Sequence, residues 1–315
     1  MQESIIKSEK RIVQTMKIRA LHKSKESLFK GCLHVFNGRG VCRSHSFERL
    51  GLCGGLIFMI LAVLACVPAV FAESGFDAVL RSVVRVNGTD SSGETVFGTA
   101  FLMQGRSGGS NQAWLVTAGH VFDRIRGEYA QITMRRQTRG IFFAAPVQVK
   151  IRDGKTPLYV LDNEHDLAAL KVALPGEVDC CILANDFAGD DARLARAGFG
   201  SGVRVLVPGY PYGEASSEAG FAFVRSGVVS SFPVLPSSTN PVFYVDFEVF
   251  EGYSGAPVVF SDGGSSGFLA GMVLEEVFLE ELRAKGKKTA RTRRGLGLAK
   301  ILSGPLIRSF LNALP

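Results

Sequence analysis

One stretch limits what this chain can build: Phe250-Glu251-Gly252-Tyr253-Ser254-Gly255-Ala256-Pro257, a serine between two glycines ahead of the apolar run Val258-Val259-Phe260. Glycine reaches backbone angles closed to other residues. A turn built on Gly252 can therefore aim the amides of Gly252 and Ser254 into one small space. Two donors aimed where negative charge develops on a carbonyl oxygen form an oxyanion hole, and a serine beside them is a candidate nucleophile. The chain holds 36 glycines, so the turn taken alone reads first as an ordinary β-turn with serine at its tip. The partners of that serine decide.

A serine hydroxyl needs a base, and the base needs an orienting acid. The chain has five histidines: His22, His34, His45, His120 and His165. The first three lie in a basic tail ahead of an apolar segment. His120 ends Trp114-Leu115-Val116-Thr117-Ala118-Gly119-His120, a strand breaking into a turn. Asp166 opens the apolar strand Asp166-Leu167-Ala168-Ala169-Leu170-Lys171-Val172. Singly, one is a core histidine and the other a carboxylate at a strand end. Together with Ser254 they stand in the order His, Asp, Ser. That order differs from those of the subtilisins and the α/β-hydrolases, and Ala256 occupies the position where a hydrolase elbow needs glycine.

Thr117-Ala118-Gly119-His120, Asp166-Leu167-Ala168 and Gly252-Tyr253-Ser254-Gly255-Ala256-Pro257 resemble the matching blocks of the bacterial trypsin-like serine peptidases. Gly209-Tyr210-Pro211 and Ser226-Gly227-Val228-Val229-Ser230 are lesser matches, and the resemblance runs from about residue 78 to 313. It implies a serine endopeptidase of chymotrypsin fold that works by acyl transfer. His120 would be the general base, Asp166 its orienting acid and Ser254 the nucleophile, with the Gly252 and Ser254 amides as the oxyanion hole. One departure stands out. The digestive members place an aspartate before the serine to receive the N-terminus freed by zymogen cleavage, whereas this chain has Tyr253. The resemblance therefore does not extend to activation of that kind.

Charge is divided sharply. The net charge is +7, from 36 Lys and Arg against 29 Asp and Glu. Residues 1–49 hold eleven basic and four acidic residues, a balance of +7, so the remaining 25 and 25 cancel. Nucleic-acid binding by the folded part is thereby disfavoured. Residues 50–72 carry no charge, and Val70-Phe71-Ala72 precedes Glu73. A basic lead, an apolar core and small residues at a cut describe a secretory signal. The run also suffices to span a bilayer, so an uncleaved anchor is the rival reading. Both place the tail in the cytoplasm and the peptidase-like part outside, in the periplasm or beyond. Only Cys180 and Cys181 follow the apolar run; no disulfide framework, zinc spacing or cofactor is expected.

From Val79 onward, short apolar runs alternate with turn residues, reading as an all-β barrel or sandwich. With the resemblance added, the expected architecture is all-β: two six-stranded antiparallel barrels. Barrel one covers about 78–175, a crossover 176–200, barrel two about 201–302, and a C-terminal helix 303–314, all within a domain of 73–315. Val79 to Val86 is expected as the first strand, closing in a turn at Asn87-Gly88. Ser303 and Pro305 suit the start of the helix. No appended peptide-binding module is expected after it.

The resemblance implies polypeptide substrates lying between the barrels and pairing with Leu274, Glu275 and Glu276. It also puts the base of the specificity pocket at Glu248, six residues before Ser254. A carboxylate there would favour Lys or Arg. The competing reading has Glu248 alternating outward into solvent, leaving Phe247 and Phe250 to make an apolar pocket. The alternative to an enzyme is a catalytically silent, membrane-tethered peptide binder of the same fold.

Overall fold

The computed structural model describes residues 75–105, 112–261, 267–285 and 288–315, all within the compact unit Phe71–Pro315. The basic tail and the apolar segment over 50–72 lie outside the described residues. Among those described, no helix is long and apolar enough to cross a membrane.

In chain order the elements are helix α1 (Gly75–Ser82), strands β1 (Val83–Thr89), β2 (Thr95–Met103) and β3 (Gln112–Ala118), helix α2 (Gly119–Arg124), then β4 (Tyr129–Thr138) and β5 (Ile141–Lys150). The two-residue strands β6 (Arg152–Asp153) and β7 (Thr156–Pro157) lead to β8 (Val160–Asp162) and β9 (Leu167–Ala173). Helix α3 (Asp191–Arg196) sits in the crossover. The second half holds β10 (Arg204–Gly209), β11 (Phe223–Val229), β12 (Val242–Asp246), β13 (Pro257–Ser261), β14 (Gly267–Lys285), β15 (Lys288–Ser303) and helix α4 (Gly304–Ala313).

The second half closes as the expected six-stranded barrel, in the order β10-β11-β12-β15-β14-β13. The first half differs from expectation. It is a seven-stranded sheet in the order β5-β4-β1-β2-β3-β9-β8, with no ladder from β5 to β8 among the described residues. The end strands suit an open edge. Strand β8 is three residues long and pairs with β9, while β5 buries only Ala145 and contains Pro146, which has no N–H to donate.

Two further corrections concern the start. Residues 79–82 are helical: Val79 is buried from the helix, and the Ser82 hydroxyl donates to the Val79 carbonyl at 2.7 Å. The Asn87-Gly88 pair makes no turn and continues β1 against β2. Gly88 is there for space, since a Cβ would fall 2.6 Å from Ile125 Cγ2.

Strands β14 and β15 outrun the barrel. Beyond a bulge between Glu276 and Phe278 they continue as a two-stranded arm, from Phe278 opposite Gly295 to Lys285 opposite Lys288. Helix α4 turns Ile307 and Leu311, four apart on one face, into the core shared with the first half. Arg135 also ties the halves together. It is fully buried on β4, donates to the carbonyls of Arg81, Val83 and Gly220 at 2.8–3.1 Å, and lies 4.7 Å above the Phe221 ring.

Candidate active site

Strand register brings His120 and Asp166 together. Strands β3 and β9 pair antiparallel, ending at Ala118 opposite Leu167, so the residues just past each end face one another. The Gly119 amide donates to the Asp166 carbonyl at 2.8 Å. The Asp166 carboxylate then takes two donors from His120, the backbone amide at 2.8 Å and ring Nδ1 at 2.6 Å. Holding Nδ1–H on a carboxylate fixes the tautomer and leaves Nε2 as an acceptor aimed elsewhere. Asp166 achieves this at φ +52°, in the left-handed region that aspartate tolerates better than most residues. Gly119 leaves the room: a Cβ there would meet Asp166 Oδ1 at 2.9 Å and Leu161 Cδ1 at 2.6 Å. His165, the neighbouring histidine, pairs with Asp162 at 2.8 Å instead.

The serine turn hangs between β12 and β13. Gly252 has φ +96°, and a Cβ on it would fall 2.1 Å from the Tyr210 carbonyl oxygen. The preceding carbonyl, of Glu251, accepts from the Tyr212 amide at 2.6 Å. Because a trans peptide points its N–H opposite its C=O, this anchor turns the Gly252 amide away from the 210–213 loop. Among the described residues, neither the Gly252 nor the Ser254 amide donates to a partner. Tyr253 is fully buried, its ring 5.1 Å from Phe247 and 5.8 Å below the Arg225 guanidinium. Burial pushes its phenol pKa up, and Arg225 opposes the shift. Packing, not an ion pair, fastens the inward side of the turn.

The Ser254 hydroxyl donates to the Leu274 carbonyl at 3.0 Å, and no hydrogen bond joins it to the His120 ring among the described residues. Ser254, His120 and Gly252 nevertheless line one cleft of about 380 Å³ with Phe97, Phe250 and Glu276. Leu274 buries its side chain and offers the cleft only its carbonyl. Glu275 and Glu276 both line the cleft. Glu248 lies outside its lining, with an exposed side chain, and its carbonyl accepts from Arg225 at 2.8 Å. Among the described residues no cluster of His, Cys, Asp or Glu suited to a metal is present.

One residue of the site carries no mark in sequence. Thr99, fully buried on β2, donates its amide to the Ser254 carbonyl at 2.9 Å and its hydroxyl to the Gly252 carbonyl at 2.6 Å. The same hydroxyl accepts from the Tyr210 amide at 3.3 Å.

This arrangement belongs to a known class. Residues 98–267 match the trypsin-like peptidase domain, and the chain is a member of that family. No curated protein matches it in sequence. Among solved structures, the serine endoprotease from Yersinia pestis is 17% identical, covers 77% of this chain and 65% of its own, and superposes with a TM-score of 0.41. The HtrA-type protease AlgW with tripeptide is also 17% identical, with coverage of 76% and 62% and a TM-score of 0.44. The chain thus spans just under two thirds of either. The MamO protease domain from Magnetospirillum magneticum is 17% identical, with coverage of 75% and 98% and a TM-score of 0.41.

Proposed function

We propose that this protein is a serine endopeptidase acting on polypeptides through Ser254, His120 and Asp166. One observation carries the reading. The Asp166 carboxylate holds His120 Nδ1 at 2.6 Å at the edge of the cleft that also contains Ser254 and the undonated Gly252 amide. For catalysis the Ser254 hydroxyl turns from the Leu274 carbonyl towards His120 Nε2. Nε2 takes the proton as Oγ bonds to the scissile carbonyl carbon, and the resulting oxyanion accepts from the Gly252 and Ser254 amides. The leaving amine departs with the proton from His120. A water molecule, deprotonated in its turn by His120, then hydrolyses the acyl-serine. The Leu274 carbonyl, once released, is free to accept from the substrate backbone.

A second reading has one observation in its favour. The hydrogen bond from Ser254 to Leu274 instead of His120 suits a silent peptide binder of the same fold. Fluorophosphonate labelling separates the two, because only an activated serine reacts. Labelling of the wild type, its loss in Ser254→Ala and in His120→Ala, and cleavage of a peptide library are expected. An unlabelled wild-type protein that binds peptides would establish the silent reading.

We also propose export, on the uncharged run over 50–72 behind a basic lead. N-terminal sequencing of the exported protein is expected to begin at Glu73. A membrane-bound product that keeps its tail would establish the anchor, and activity confined to the cytoplasm would exclude both.

A further inference from the structure

We infer that Glu276 selects the substrate, its carboxylate receiving a cationic side chain, Lys or Arg, beside the scissile bond. The inference rests on the peptidase reading and names the substrate class of the same cleft.

Three carboxylates line the cleft, those of Glu251, Glu275 and Glu276. Glu251 pairs with Arg124 at 3.2 Å and Glu275 with Lys300 at 3.0 Å. Glu276 alone of the three has no ion pair or hydrogen bond with any described residue, although its side chain is half-buried. Among the described residues the one cation lining the cleft, Arg124, is engaged by Glu251. Arg293, 4.7 Å over the ring of the lining residue Phe278, is paired with Glu280 at 3.7 Å. The described lining therefore carries an uncompensated negative charge. A partly desolvated carboxylate without a partner attracts a cation that can hydrogen-bond to it.

Local backbone aims it. A register shift between Val273 and Glu275 resets the alternation of β14, so that Glu275 faces Lys300 and Glu276 takes the opposite side. There the Glu276 side chain lies on Gly295. A Cβ at that position would sit 2.1 Å from Glu276 Oε1 and 2.9 Å from its Cδ. The carboxylate occupies a slot that exists because residue 295 is glycine. Glu276 is two residues beyond Leu274, whose carbonyl holds Ser254 Oγ, so the charge stands close to the reacting atoms. Val249, Phe250 and Phe278 line the same cleft and suit the methylene stem of a long basic side chain. Glu248 is exposed and lies outside the lining.

The test uses the full chain and two readouts. In the first, kcat/KM is measured for peptides that differ only in Lys, Arg or norleucine before the cut. The wild type is expected to prefer Lys or Arg, and Glu276→Gln to reduce the Lys-over-norleucine ratio at least tenfold. In the second, the affinity of benzamidine, a small aromatic cation, is measured for Ser254→Ala with and without Glu276→Gln. The Kd is expected to rise at least tenfold with Glu276→Gln, whether or not the serine is active. An unlabelled serine with this affinity change would overturn the peptidase reading and keep the cation site. Equal benzamidine affinity, an unchanged ratio, or a loss on Glu248→Gln in place of Glu276→Gln would overturn the assignment.

Discussion

The Thr99 hydroxyl donates to the Gly252 carbonyl at 2.6 Å, across 153 positions of sequence and from the first half of the fold to the second. With the Thr99 amide on the Ser254 carbonyl at 2.9 Å, one buried residue grips the serine turn on both sides of Tyr253. The turn that carries the Gly252 and Ser254 amides is thus pinned from a strand of the other half.

Thr99→Val keeps the shape and removes the hydroxyl, leaving a buried carbonyl without its donor. The cost should be about 1–3 kcal/mol, felt as a tenfold or greater drop in fluorophosphonate labelling rate, because the turn loses its fixed geometry. Thr99→Ser is expected to restore most of it. Wild-type labelling by Thr99→Val would show that the turn does not need the hydroxyl.

Asp166→Asn addresses the tautomer. An amide can donate where the carboxylate only accepts, so the proton of His120 would shift from Nδ1 to Nε2 and block proton transfer from Ser254. A fall in kcat of about 10⁴-fold is expected, with circular dichroism unchanged. A loss below tenfold would remove Asp166 from the mechanism.

The blocks around His120, Asp166 and Ser254 are legible in sequence because residue type and turn chemistry coincide within a few positions. Thr99 is not, since its partners Tyr210 and Gly252 lie 111 and 153 positions away. The strands of the closed barrel read well from their short apolar runs, although their closure follows only from the family resemblance, and the arm of β14 and β15 reads poorly. The described side chains of that arm, from Phe278 to Glu280 and from Thr292 to Leu296, are exposed, so no buried face imposes a period of two. The place of Glu276 in the cleft lining, beside Glu251 and Glu275, has a similar cause. A bulge after Val273 resets which side chains face the cleft, and no residue pattern announces it.

Arg135→Met tests the seam between the halves. Arg135 is fully buried and donates to three carbonyls, of which those of Val83 and Gly220 also lie within reach of the single Tyr210 hydroxyl proton. Its loss should leave at least one of them short of a donor, at about 1–3 kcal/mol and roughly 3–10 °C in Tm for a domain of this size. Thermal unfolding followed by circular dichroism reads it, and a shift below 2 °C would show that water replaces the guanidinium at about no cost.

Tyr159 supplies a pH dependence with a definite sign. Burial, then the hydrogen bond its hydroxyl gives Asp123 at 2.6 Å, pushes its pKa up to about 12. The folded state therefore holds the phenol proton longer than the unfolded chain does. The stability that this tighter hold on the proton confers is fully present below pH of about 10 and is lost as pH rises towards 12. In urea titrations the advantage of the wild type over Tyr159→Phe should narrow between pH of about 9 and 11.5. A constant gap would contradict the linkage.

The arm that β14 and β15 carry past the barrel has a consequence for the cleft. Among the described residues, Phe278 to Lys285 pair only with 288–295, and Phe278 is part of the cleft lining. An isolated pair of strands is marginally stable in water, whereas the barrel ladders are cooperative with a buried core. Unzipping the arm breaks none of those ladders. The rim of the cleft therefore answers to a smaller free energy than its floor, and it can be shortened, lengthened or exchanged while the serine turn stays as it is.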